Sequence, residues 1–145
     1  MNWEDPDLIS EFLVEAEEHL DELDNRLLEV EQEGLSEKSN MRITGTFHTL
    51  KGMASYVEFG EIQQLCHLTE TLLQQRSEGA PGSAAQAKTD IAFEVVTLLR
   101  TLLAEVATAL EQGEPPPPDN PGLHTMLRRL ERLTRQQVSR QSARR

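Results

Sequence analysis

The stretch Phe47-His48-Thr49-Leu50-Lys51-Gly52 sets an imidazole and an ammonium one helical turn apart, with a glycine beside them. On a helix, Gly45 lies three residues before His48 and Gly52 four after it, so both neighbours on the histidine's own face lack side chains. Glycine inside a helix costs about 0.5–1 kcal/mol relative to alanine. Two of them flanking one ring call for a reason, and access to the ring is one. A histidine that accepts a phosphoryl group from a visiting protein needs this arrangement: a solvent-facing ring, a cation near the incoming phosphate, and a low wall beside it. Lys51 supplies the cation as a point charge.

A nucleophilic imidazole also needs one nitrogen bare and the other held in a fixed tautomer. Gln63, His67, Glu70 and Gln74 form a polar stripe on the following helical segment. If the two helices make an antiparallel hairpin, that stripe faces the row Thr44, His48, Lys51 and Ser55. Glu70 is then expected to accept a hydrogen bond from one ring nitrogen of His48, with Lys51 and His67 beside the phosphate.

Each of these residues also has a plain structural reading. A lone helical histidine is usually a boundary residue, a helical glycine allows close packing, and a lysine is usually solvated. The set of His48, Lys51, Gly52 and the pair His67-x-x-Glu70 is what favours function. His19 sits among Glu17, Glu18, Asp21 and Glu22 and reads as part of a solvated acidic face; His124 carries no argued role. A di-iron helical bundle would use Glu-x-x-His pairs. The residues three before His19, His48, His67 and His124 are Ala16, Gly45, Gln64 and Pro121, so no metal site is expected. An interaction module whose histidine is never phosphorylated stays open as the alternative.

Five helices can be drawn to carry these residues. The first opens at Asp5-Pro6, a cap residue followed by a proline suited to a first helical position. Ile9, Leu13, Ala16, Leu20, Leu23, Leu27 and Val30 step by four and three along one seam, which Gly34 ends. Ile43, Phe47, Leu50, Ala54 and Val57 repeat that step in the second. Ile62, Leu65, Cys66, Thr69, Leu72 and Leu73 face inward from the third, from about Gly60 to Arg76. Ser77 to Lys88 reads as a Gly/Ser/Ala/Pro-rich loop. The fourth helix is expected from Thr89 or Asp90, burying Ile91, Val95, Leu98, Leu102, Val106 and Ala109, and ending at Gly113. Four prolines, Pro115 to Pro118, make a stiff spacer before a fifth helix with Leu123, Leu127 and Leu130 on its apolar side. The expected architecture is all-α, an antiparallel up-and-down four-helix bundle over 1–113, a linker over 114–122, an appended helix over 123–138 that docks or swings free, and a disordered tail over 139–145.

Composition sets outer bounds. Aromatics are 4% of 145 residues, which favours a helical bundle over a sheet protein. The net charge of −11 argues against nucleic acid and anionic membranes as partners. Residues 121–145 carry seven Arg and one Glu, leaving −17 for the remainder. The single cysteine, Cys66, forms no intrachain disulfide, which fits a reducing cytoplasm, and falls in an apolar stretch as a small core residue. No apolar run approaches membrane-spanning length.

The same residues carry a family likeness. The chain resembles the histidine-containing phosphotransfer (HPt) domain, and most closely the N-terminal HPt domain of CheA-type chemotaxis histidine kinases. The likeness rests on His48-Thr49-Leu50-Lys51-Gly52-Met53-Ala54 with Phe59 and Glu61-Ile62, on His67-Leu68-Thr69-Glu70-Thr71-Leu72-Leu73, and on the opening Glu11 to Leu20. It implies phosphorylation at His48 by a kinase catalytic domain that this chain lacks, and transfer to an aspartate of a response-regulator receiver domain. It also implies that His67 and Glu70 belong to the network around the phosphorylated histidine and that Lys51 assists. ATP and magnesium would come with the partner domains, so the chain itself is a monomeric carrier and no enzyme, as the front part of a larger kinase. The family usually has a glycine where Glu58 stands, and Gly60 is expected to take over the turn. Gly45 replaces a bulkier residue common before the motif.

Overall fold

The computed structural model describes residues 4–75, 81–115 and 120–143, without the side chains of 81–84 and 137–143. Asp5 starts the first helix by accepting the Leu8 N–H at 3.1 Å, and Pro6 needs no donor at that position. This helix, α1, runs Pro6–Glu33. Ser36 and Ser39 form a reciprocal capping box that opens α2, Glu37–Tyr56. Then follow α3 (Gly60–Gln74), α4 (Pro81–Gln112) and α5 (Pro121–Ala143). Asn120 caps α5, accepting the Leu123 N–H at 3.1 Å while its amide donates to Glu105 at 3.2 Å.

The first four helices close a ring: α1 packs on α2 and α4, α2 on α3, and α3 on α4. The stepped apolar seams meet at its centre, where Leu20, Leu23, Phe47, Leu65 and Val95 are fully buried. A buried side chain of this size contributes about 1.5–3 kcal/mol, so these seams hold the bundle together. Arg100 of α4 fixes the orientation of α1 from outside, reaching Glu17, Asp21 and Asp24 at 2.6–2.8 Å.

Three expectations are corrected. The Ser77–Lys88 loop is shorter, because α4 already begins at Pro81. Pro81 suits a first helical position and Ala84, Ala85 and Ala87 are strong helix formers, which outweighs the loop-like composition. The span expected for the fifth helix, 123–138, extends at both ends, and the tail expected to be disordered is helical to Ala143. That helix is also docked: Leu123, Leu127 and Leu130 are buried against α3 and α4. Residues 76–80, 116–119 of the spacer and 144–145 lie outside the described residues.

The third correction concerns the turn between α2 and α3. Gly60 does not take it over; Glu58 itself adopts φ 59°. Phe59 N–H donates to Ala54 C=O at 2.7 Å and Glu58 N–H to Ser55 C=O at 3.0 Å. That is a Schellman closure with Glu58 at the left-handed position glycine normally takes. Phe59 then swings inward, its ring centroid 6.5 Å from that of Phe12 on α1. A side chain at such a position costs about 1–2 kcal/mol, partly offset by the freedom glycine adds to the unfolded chain. Glu58→Gly is therefore expected to stabilise the bundle by about 0.5–1 kcal/mol, read as a higher urea midpoint at unchanged slope.

Candidate functional site

The tight closure at Glu58 folds α3 back along α2 and brings their polar residues together. Phe47 and Leu50 enter the core and turn His48 outward, leaving its side chain 65% exposed. Glu70 comes from the last turn of α3, flanked by buried Thr69, Leu72 and Leu73, and is only 10% exposed. His48 Nδ1 lies 2.9 Å from Glu70 Oε1, and Lys51 Nζ lies 2.8 Å from Oε2. One carboxylate thus holds both groups of the motif, one on each oxygen.

Burial pushes the Glu70 carboxyl up, but hydrogen bonds from Lys51 and then His48 outweigh it and hold the group below the usual carboxylate range. An ionised Glu70 accepts from Nδ1–H, which places the ring's proton on Nδ1 and leaves Nε2 bare. The arrangement can therefore present an oriented nitrogen nucleophile to solvent and stabilise positive charge on the ring. Behind it Cys66 is fully buried, and burial pushes its thiol up to about 12, so it is a core residue without nucleophilic character here.

Of the residues expected at the site, His48, Lys51 and Glu70 are brought together. Lys51 differs in its partner: its ammonium is bound to the Glu70 carboxylate. His67 is not brought in. Its ring is exposed and makes no hydrogen bond or ion pair among the described residues. Gly45 and Gly52 flank His48 as expected, and a Cβ at either would meet nothing within 4 Å. Close packing therefore does not explain them. The row Thr44–Ser55 divides: Ser55 is exposed, but Thr44 is buried and returns its hydroxyl to Asn40 C=O at 2.7 Å.

One hollow opens beside the ring and another beside Gly52. A groove of about 950 Å³ runs between α2, the end of α3 and the start of α4, lined by His48, Glu70, Thr44, Met41, Gln75 and Lys88 among others. A smaller one of about 370 Å³ lies between α1 and α2 beside Gly52, lined by Leu8, Phe12, Met53 and Tyr56 among others. Sequence reasoning missed Asn40 and Lys88, both at the far end of the larger groove. Lys88 carried a signal: continued back one turn, the apolar seam of Ile91 and Val95 passes through it.

The model of the Hpt domain family matches residues 7–112. The chain is similar to the chemotaxis protein CheA of Treponema pallidum, 33% identical over 106 residues, which are 72% of this chain and 12% of that protein. It is 37% identical to the chemotaxis protein CheA of Halobacterium salinarum over 73 residues, 50% of this chain and 11% of that protein. For the chemotaxis protein CheA of Listeria monocytogenes the identity is 27% over 95 residues, 66% of this chain and 15% of that protein. The chain thus spans a small fraction of the curated relatives it matches. No solved structure matches it.

Proposed function

This chain belongs to the Hpt domain family, and on that premise we propose that it is a phosphoryl carrier loaded and unloaded at His48. The bare Nε2 attacks the γ-phosphoryl of ATP held by a histidine kinase catalytic domain. The N–P bond forms as the bond to the β-phosphate oxygen breaks, and ADP leaves. Nδ1 keeps its proton, and the positive charge on the ring is stabilised by Glu70. Lys51 offsets the charge of the phosphoryl oxygens. An aspartate of a receiver domain then attacks phosphorus, and the imidazole leaves as a neutral ring. Positioning is this chain's contribution; ATP and magnesium come with the kinase domain. The chain is thus a substrate and carrier without catalysis of its own, a monomer working in the cytoplasm as part of a larger CheA-like kinase.

The observation that supports this best is a largely exposed imidazole whose Nδ1 is held 2.9 Å from a buried, ionised carboxylate. Exposed Val14 and Tyr56 on α1 and α2, at 62% and 75%, with the hollow beside Gly52, give the receiver an apolar footing next to the ring. Such an interface is transient and of modest size. No helix among the described residues is long and apolar enough to cross a membrane.

The test uses labelled ATP, the CheA-type catalytic domain and the receiver encoded in the same genome. Acid-labile phosphate should map to His48 and vanish when receiver is added. A chain that binds both proteins but never acquires phosphate would be an interaction module instead. In urea unfolding Gly45→Ala and Gly52→Ala should each gain about 0.5–1 kcal/mol of stability. Larger side chains at Gly52 should slow loading and unloading, because they raise the wall beside the ring.

A further inference from the structure

Among the described residues, the helix that carries Glu70 closes differently from its neighbours. α2 and α4 both close with a left-handed residue, Glu58 and Gly113, whose N–H groups bind the last carbonyls. At the end of α3, Gln75 is extended, with φ −71° and ψ 141°, and among the described residues one N–H beyond the helix, its own to Leu72 C=O at 3.2 Å, returns to it. The last carbonyls of an α-helix need partners from outside it. Those of Leu73 and, just past the end, Gln75 are met from other helices. Asn40 of α2 donates Nδ2–H to Leu73 C=O at 2.9 Å. Lys88 of α4, only 7% exposed, points its ammonium at Leu73 C=O, 3.4 Å away, and at Gln75 C=O. A cation at a helix C-terminus also opposes the negative end of the helix dipole.

Glu70 lies within that final turn. In an α-helix ending at Gln74, the N–H of Gln74 pairs with the carbonyl of Glu70. That bond is exposed to fraying as soon as the Gln75–Leu72 bond beyond it opens. The Glu70 side chain is therefore only as well placed as the cap beyond it. We propose that Lys88 and Asn40 are positioning residues: capping α3 from α4 and α2, they hold Glu70 against His48 and so keep Nδ1 protonated and Nε2 bare. The proposal rests on the carrier reading for its consequence in phosphotransfer, but its structural core does not. Gln75 extends the tie to α5, donating Nε2–H to Thr134 C=O at 3.3 Å.

The test compares wild type with Lys88→Met, Lys88→Arg and Asn40→Ala, all on the full chain. The readouts are the ¹⁵N shifts of the His48 ring, which report the tautomer, and the rate of loading by phosphoramidate, a small donor that needs no partner protein. Wild type should show Nδ1 protonated and Nε2 bare. Lys88→Met should move the ring toward a mixture of tautomers and slow loading at least about tenfold, since displacement of a reacting group by about 1 Å can cost on the order of 100-fold. Lys88→Arg should restore both readouts. If Lys88→Met lowers the melting temperature but leaves the ring shifts of the folded protein unchanged, Lys88 merely holds α3 in place and the proposal is overturned. Should Lys88→Met fail to fold, Asn40→Ala, at a half-buried site, decides by the same two readouts. If the shifts move as expected but wild type takes no phosphate on His48, positioning stands and the carrier reading falls.

Discussion

His48→Gln should remove phosphoryl acceptance altogether, at least about 1000-fold below wild type, while leaving the fold intact. The loss is complete because no other group in the site is a competent nucleophile. Lys51 is an ammonium bound to Glu70 at 2.8 Å, and Cys66 is sealed in the core with its thiol pushed up to about 12. The exposed ring of His67 has neither a carboxylate to fix its tautomer nor the flanking glycines, so it does not substitute. The small effect on stability follows from exposure. With 65% of the His48 side chain in water, replacing it disturbs little packing, and surface substitutions usually fall within about 0.5 kcal/mol. Urea midpoints of the two proteins should therefore nearly coincide while acid-labile phosphate appears on only one. Acid-labile phosphate on the variant, from a kinase that loads wild type, would remove His48 from the centre of the mechanism.

That pairing of a large chemical effect with a small structural one was legible in the sequence because period and chemistry agreed. The three-and-four step of Ile43, Phe47, Leu50, Ala54 and Val57 fixes which face of α2 is buried, and so that His48 is not on it. The corresponding seam of α3 put Glu70 at the boundary, and a short connection made the helices antiparallel neighbours. What stayed hidden depended on partners distant in sequence or on backbone closure. Lys51 reads as free because nothing local shows that Glu70 has a second oxygen to offer it. Thr44 reads as exposed because it is polar, yet a threonine bonded to its own helix at Asn40 C=O is buried at little cost. Lys88 reads as loop because Gly, Ser and Pro around it outvote the alanines, and a buried lysine makes sense only once the carbonyls at the end of α3 are seen beside it. Glu58 reads as unable to hold the turn, but the Schellman bonds and the packing of Phe59 on Phe12 hold it there despite its φ of 59°.

Glu70→Gln should separate the roles of that carboxylate. A glutamine keeps the shape and one acceptor oxygen but presents an amide NH₂ where the second oxygen was. If its oxygen takes Nδ1–H of His48, its NH₂ faces the Lys51 ammonium, donor against donor; if it turns over, the ring loses its partner. Either way the negative charge that stabilises the phosphorylated ring is gone. Loading should fall on the order of 100-fold, the scale of a lost acid–base partner. Stability at neutral pH should fall by about 1–2 kcal/mol, less than for a fully buried ion pair because His48 and Lys51 can both turn to water. The pH dependence carries the sharper sign. Glu70 is held below its ordinary value of 4.5 in the folded chain, so the unfolded chain binds the proton more readily. The stability this contributes is fully present above the unfolded value and is lost as pH falls through the folded one. Wild type should therefore approach Glu70→Gln in stability as the medium is acidified below about 4.5, and the gap should be widest near neutrality. Thermal melts of both proteins from neutral pH down to about 3 measure it. A gap that stayed constant over that range would mean that the carboxylate is not the group whose ionisation holds the ring and the lysine together.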